Sequence, residues 1–391
     1  FQAWDELPVL PEGRIGIYVG SHTHFSEKQN RAIDRFCATY DAVVICDHTS
    51  GYYGKYKLLP TLVQLQSDIT SPFPPLDLMV HIGEISAASF NDTIPAKEVW
   101  RVSEDGELRD PFKKLTTVFQ MSEEMFFLHY GKDGCNRHVL IDECRELFGE
   151  IYEQIPELPF CNIWTAMQLS SRLPKGALFH MGVSNTRRCW NMFQLPESVE
   201  SACNVGCCGI DGCVSTLVGA SLVNPDRLCY VVVGDLTFFY DLNSLGNHHI
   251  GTNLRVMLVN NGRGTEFRLG IHHCNVFGDD ADKYMAAAGH FGNKSPLLVK
   301  HYAEDLGFHY LSATTKEEFM TALSNFTNPQ LSDHSMILEV FTDSKDESEA
   351  LYLMSHIQSD AKGMVRSKLK DAVRNVAGEK GINAIKKILK K

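Results

Sequence analysis

The sequence predicts an α/β protein of two doubly wound parallel-sheet domains followed by a C-terminal helical extension. Three observations predict it. Short runs too uniformly apolar to be half-exposed strands alternate with longer amphipathic stretches, the strand–helix–strand rhythm of a parallel sheet covered on both faces. At 391 residues the chain is longer than one hydrophobic core usually supports. Its end also changes in kind: over 360–391, ten Lys or Arg stand against three Asp or Glu, a local balance of +7.

In order along the chain, the apolar segment 14–20 (RIGIYVG) reads as a buried strand, 27–40 as an amphipathic helix and 42–47 as a second strand. Segments 76–84 and 98–103 read as further strands, with the Pro-rich SPFPP at 71–75 as a turn. A helical run follows over 122–155 and stops at Pro156 and Pro159, which places a domain boundary there. The second domain has expected strands at 177–182, 227–234, 253–260 and 336–341, with helices at 212–222 and 316–326. The domains are therefore expected at 1–155 and 156–357, with a basic tail at 358–391. In that tail Val365, Leu369 and Val373, then Ile382, Ile385 and Leu389, recur at helical spacing among Lys and Arg. Such a helix suits an anionic membrane surface, an acidic partner or the chain's own acidic body.

The formal net charge is -11, so the part preceding the tail carries -18. That balance argues against nucleic acid as a partner, because affinity there comes from neutralising phosphates with Lys and Arg. Twelve cysteines, Cys207 and Cys208 adjacent among them, form neither zinc-type pairs nor a small disulfide scaffold, and read as reduced thiols of a cytoplasmic protein. No stretch approaches the roughly 20 apolar residues of a membrane span. The opening FQAWDELPVLPEG, without Met, suggests a fragment of a longer protein.

The stretch that carries chemistry runs over 231–267. One apolar strand ends in Gly234-Asp235 and the next in Asn260-Asn261. In a parallel sheet both ends emerge on the edge where open α/β folds bind ligands. A carboxylate and an amide oxygen can converge there on one hard cation, and magnesium suits such oxygen ligands and shares them with phosphates. Either dipeptide alone merely ends a strand or makes a turn in many proteins; the pairing of the two favours the metal.

The spacing from Gly234-Asp235 to Asn260-Asn261 resembles the fingerprint of thiamine-diphosphate-dependent enzymes, with Leu236 in place of a final Gly. GDL followed by YDLNSL, with GIDG at 209–212 and STLVGA at 215–220, resembles the menaquinone-pathway 2-succinyl-5-enolpyruvyl-6-hydroxy-3-cyclohexene-1-carboxylate synthases, over their middle and C-terminal domains. The resemblance implies a thiamine-diphosphate-binding fold, with thiamine diphosphate and Mg2+ as cofactors. It implies Asp235, Asn261 and the carbonyl of Arg263 as metal ligands, and Ile210 as the apolar wedge that bends the cofactor. Ser184, Cys208, Gly234, Leu236 and Thr237 are the further cofactor-contacting positions it implies.

On the substrate side the stretch 182–188 keeps Ser184 and Arg188 in matching places, and Glu266 and Phe267 follow the metal motif. Two departures stand out. An arginine that would grip a substrate carboxylate is Val205 here, and an isopropyl group cannot replace a guanidinium. Glu266 stands where the family has an apolar residue, and a carboxylate there would repel an anionic acceptor. These changes point to a 2-oxo acid decarboxylase or carboligase with another acceptor. The resemblance further implies a homodimer or homotetramer, and an activating glutamate on an N-terminal pyrimidine-binding domain that this chain does not contain, so that the isolated chain should turn over little or nothing. The alternatives are a non-catalytic cofactor-binding or regulatory module, or a membrane-peripheral subunit. Of the paired histidines, His248-His249 and His272-His273, the second pair is better placed to cover a cofactor.

Overall fold

The structure, a computed structural model, describes the chain apart from residues 3–4, 70–72, 85–93, 207, 270–271, 281–293 and 360–391 and the side chains of 268, 273, 275, 276 and 279. Two six-stranded, all-parallel sheets flanked by helices make up the described residues, an α/β architecture. The predicted basic helical tail lies outside the described residues from 360 onward.

The first sheet contains β1 (Ile15–Val19), β2 (Val43–Cys46), β3 (Lys57–Leu58), β4 (Leu76–Ile82), β5 (Ala96–Ser103) and β6 (Leu115–Gln120), in the order β3-β2-β1-β4-β5-β6. Every residue of β1 and β2 is buried, which is why both read as unbroken apolar runs. Helix α1 (Glu27–Tyr40) starts at a reciprocal capping box between Ser26 and Gln29 and turns Ala32, Ile33, Phe36 and Cys37 inward. A short α2 (Thr61–Leu65) follows β3.

The single helical run expected over 122–155 is two helices, α3 (Glu123–Tyr130) and α4 (Val139–Glu153). Gly131 caps α3, Gly134 turns the chain at φ 78°, and the Lys132 N–H donates to the Thr39 hydroxyl of α1 at 2.8 Å. That tertiary bond holds the connection against α1, so the helix cannot continue.

The second sheet contains β7 (Leu178–Met181), β8 (Glu200–Cys203), β9 (Cys229–Gly234), β10 (Leu254–Asn260), β11 (His309–Ala313) and β12 (Met336–Phe341), in the order β11-β12-β10-β9-β7-β8. Its helices are α5 (Asn162–Leu169), α6 (Asn185–Trp190), α7 (Cys213–Val223), α8 (Asp235–Tyr240), α9 (Leu298–Asp305), α10 (Lys316–Phe326) and α11 (Ser344–Ser355). One apolar cluster runs continuously from β1 through α4 to the second sheet and α11. Buried polar bonds stitch the same seam: Asn191 accepts from the His48 N–H at 3.0 Å and donates to Asp47 at 3.3 Å, while Gln66 donates to the Met354 carbonyl at 2.8 Å.

Candidate functional site

Strands β8 and β9 lie on opposite sides of β7, so the strand order reverses between β7 and β9. Outside the carboxyl ends of such neighbouring strands a parallel sheet leaves a crevice. A cavity of about 410 Å³ occupies it. Strand β7 leads to Val183 and Ser184, β9 to Gly234 and Asp235, and β10 to Asn261, all on the cavity wall. Register places Val259 of β10 opposite Gly234, so the two motif turns leave the sheet side by side.

Of the predicted positions, Ser184, Cys208, Ile210, Gly234, Asp235, Leu236, Thr237, Asn261, Arg263, Glu266 and Phe267 all line this one cavity. Asp235 is 2% exposed, and one of its carboxylate oxygens accepts the Leu236 N–H at 2.8 Å. The side-chain oxygen of Asn261 is buried and meets no donor in the protein. Its neighbour Asn260 faces elsewhere, donating to Glu339 at 2.7 Å, and Tyr310 donates to the other Glu339 oxygen at 2.7 Å. Burial raises the Glu339 pKa above the usual carboxylate range.

The donors fit a magnesium ion. A buried amide oxygen without a partner costs about 1–3 kcal/mol unless something else satisfies it, and beside it stands a carboxylate, the other ligand type hard cations prefer. A Cβ added at Gly234 would meet no protein atom within 4 Å, so this turn leaves open space where a ligand can approach the backbone.

Two wall residues hold backbone conformations that side chains disfavour: Ser184 at φ 60° and Cys208 at φ 54°. Such outliers cluster at binding sites, where surrounding structure over-determines them. Ile210 is half-buried on the turn that leads through Gly212, at φ 82°, into α7. The first turn of α7 is tied to the end of α8 by the Ser215 N–H donating to Asp241 at 2.6 Å.

Arg188, on α6, forms a bidentate pair with Glu266, at 2.9 and 2.7 Å. Burial works against the charge on Arg188, but the Glu266 carboxylate outweighs it and raises the guanidinium pKa. Glu266 is therefore not the lone anion that its position in the sequence suggests. It is neutralised from behind the cavity wall, because an arginine 78 residues earlier is brought to it by α6.

Sequence reasoning missed Asn162 and Asn185, which also line the cavity. Behind them is Glu347 on α11, 2% exposed, accepting the Asn162 N–H at 2.9 Å and the Thr342 hydroxyl at 2.9 Å. Its pKa is raised to about 7, mainly by burial. No periodicity marks a residue that acts from another helix, although Asn185 sits inside the 182–188 motif.

Other expected positions lie elsewhere. Val205 lines a separate cavity of about 810 Å³ with His22, Glu84 and Arg101, at the carboxyl edge of the first sheet. His248 and His249 are exposed, their rings tilted against each other with centroids 3.8 Å apart, while the His272 ring meets Phe267 edge-on at 5.1 Å. Among the described residues no group of three or more His, Cys, Asp or Glu comes together to hold a metal. Cys207 and the side chain of His273 are outside the described residues.

The chain is 33% identical over 263 residues to the 2-succinyl-5-enolpyruvyl-6-hydroxy-3-cyclohexene-1-carboxylate synthase of Bacteroides fragilis, covering 66% of this chain and 45% of that protein. The chain is related to these synthases. Proteins of the same name from Phocaeicola vulgatus and Cytophaga hutchinsonii are each 32% identical, over 265 and 239 residues; the matches cover 66% and 61% of this chain and 44% and 39% of those synthases. The chain spans less than half the length of the synthases it matches. No family model matches it. Among the described residues no helix is long and apolar enough to cross a membrane.

Proposed function

We propose that this chain is the magnesium- and diphosphate-binding part of a thiamine-diphosphate-dependent transferase of the synthase type, acting as a 2-oxo acid decarboxylase or carboligase. The observation that carries the reading is the partnerless Asn261 oxygen beside buried Asp235, at the carboxyl edge of two adjacent strands. Asp235, Asn261 and the Arg263 carbonyl would hold the magnesium, and through it the diphosphate. Gly234 leaves room for the phosphates, and Ser184, Leu236, Thr237 and Cys208 close the wall around them. When bound, thiamine diphosphate supplies the carbanion and the electron sink.

The chain's own residues shape and dry the site. Ile210 would stand beneath the cofactor as the bulky apolar support for a bent conformation. Phe267 and Leu236 exclude water, which strengthens every electrostatic contact inside. The pair Arg188–Glu266 presents a polar but neutral face to the substrate, with Arg188 donating inside the chain to both Glu266 oxygens and to Asn185. An acceptor whose binding needs a free guanidinium would therefore fit poorly, and Val205 supplies none.

The pyrimidine half of the pocket, with its activating glutamate, belongs in this reading to a domain outside the chain, in a homodimer or homotetramer, and the chain alone should turn over little 2-oxo acid. The test is decarboxylation of 2-oxo acids by the protein extended with that domain. Activity that requires magnesium and is abolished in Asp235→Ala supports the reading; activity retained in Asp235→Ala contradicts it.

A further inference from the structure

A further groove, of about 420 Å³, runs along the seam between the two sheets, apart from the cofactor motif. Its walls are β3, α4 and the segment 194–197 that follows α6. Three cations line it, Lys55, Lys57 and Arg145, against one acidic side chain, the exposed Glu197. That balance is unusual in a body whose net charge is -18.

Two of the three cations, Lys57 and Arg145, are held in place, and Lys55 is exposed beside them. Lys57 is half-buried on an edge strand, with its ammonium 5.2 Å from the Tyr53 ring centroid. Among the described residues neither Lys57 nor Lys55 makes an ion pair. Arg145 donates to the Lys55 carbonyl at 2.7 Å, which fixes its guanidinium on the same wall. Among the described residues its one ion-pair partner is Asp142, 4.0 Å away, both side chains being more than half exposed. Partial desolvation of a lysine that has no carboxylate partner is unfavourable, and so is gathering like charges on the walls of one groove. A bound anion would relieve both.

From this geometry we propose that the groove binds a small metabolite carrying two or more negative charges, through Lys55, Lys57 and Arg145. The site is independent of the thiamine-diphosphate reading. Segment 194–197 follows α6 after the short turn 191–193, and the first residue of α6 lies on the cofactor cavity, so an occupant would sit close to the element that joins the two.

The experiment is calorimetric titration of inorganic pyrophosphate, and in a parallel arm citrate, into the chain in the presence of chelator, so that the magnesium site cannot contribute. Binding by wild type is expected, weakened about tenfold or more in Lys57→Met and in Arg145→Gln, retained in Lys57→Arg and unchanged in Asp235→Ala. Circular dichroism melts establish that each variant folds. Preference for pyrophosphate assigns a phosphate-bearing ligand, and preference for citrate a polycarboxylate. No binding by wild type, or binding lost in Asp235→Ala and kept in Lys57→Met, overturns the proposal.

Discussion

Glu266, on the wall of the cavity at the end of β9 and β10, meets Arg188, 78 residues earlier in sequence and behind that wall, in a two-bond ion pair. The Arg188 and Glu266 side chains are 22% and 19% exposed. The pair converts two charges that would each dictate the substrate into one neutral surface.

Removing Glu266 leaves a largely buried guanidinium without its carboxylate, with only the longer bond to Asn185 at 3.4 Å remaining. Glu266→Ala should lower stability by about 1–3 kcal/mol, read as a shift of the denaturation midpoint. It should also free Arg188 for an external carboxylate, so affinity for small dicarboxylates, measured by calorimetry, should rise above wild type. A stable variant with unchanged carboxylate affinity would mean that Arg188 stays closed to the cavity.

Glu347 gives the fold a pH dependence of definite sign. Its pKa is raised by burial from the usual 4.5 to about 7 in the folded protein. Between those values the folded state binds more protons than the unfolded one, so stability falls as pH rises from about 4.5 to about 7 and then levels off. The loss is on the order of 3 kcal/mol. Chemical denaturation of wild type and Glu347→Gln across this range should show the difference between them shrinking toward acid pH; parallel curves would show that Glu347 is ionised throughout.

At Gly234 folding and binding should separate. The backbone there is at φ -76°, which any residue accepts, and an added methyl meets no protein atom. Gly234→Ala should therefore melt within about 0.5 kcal/mol of wild type, while magnesium-dependent binding of thiamine diphosphate falls at least about tenfold. Equal binding by the variant would place the diphosphate elsewhere.

Across the seam, Asn191 is 1% exposed and bonds both His48 and Asp47. Asn191→Ala strands the buried His48 N–H and should cost about 1–3 kcal/mol in denaturant unfolding. A neutral effect would mean that water replaces the amide.

What was legible in the sequence was whatever the local chain determines. β1, β2, β9 and β10 are buried on both faces and announce themselves as apolar runs. Asp235 and Asn261 end such strands, so the parallel arrangement alone brings them together. The two-residue β3 is too short to read, and β6, β8 and β11 carry mixed, half-exposed residues that resemble loops. The break between α3 and α4 depends on a bond to Thr39, and the Arg188–Glu266 pair and Glu347 depend on contacts made only when α6 and α11 have packed. No periodicity encodes those contacts, so the sequence shows the residues without their partners.

The most direct measurement of the central claim is calorimetric titration of thiamine diphosphate into this chain, first with magnesium and then with chelator. The site built from Asp235 and Asn261 requires binding that is present with magnesium, lost with chelator and absent in Asp235→Ala. Binding that is indifferent to magnesium, or that survives in Asp235→Ala, would contradict it.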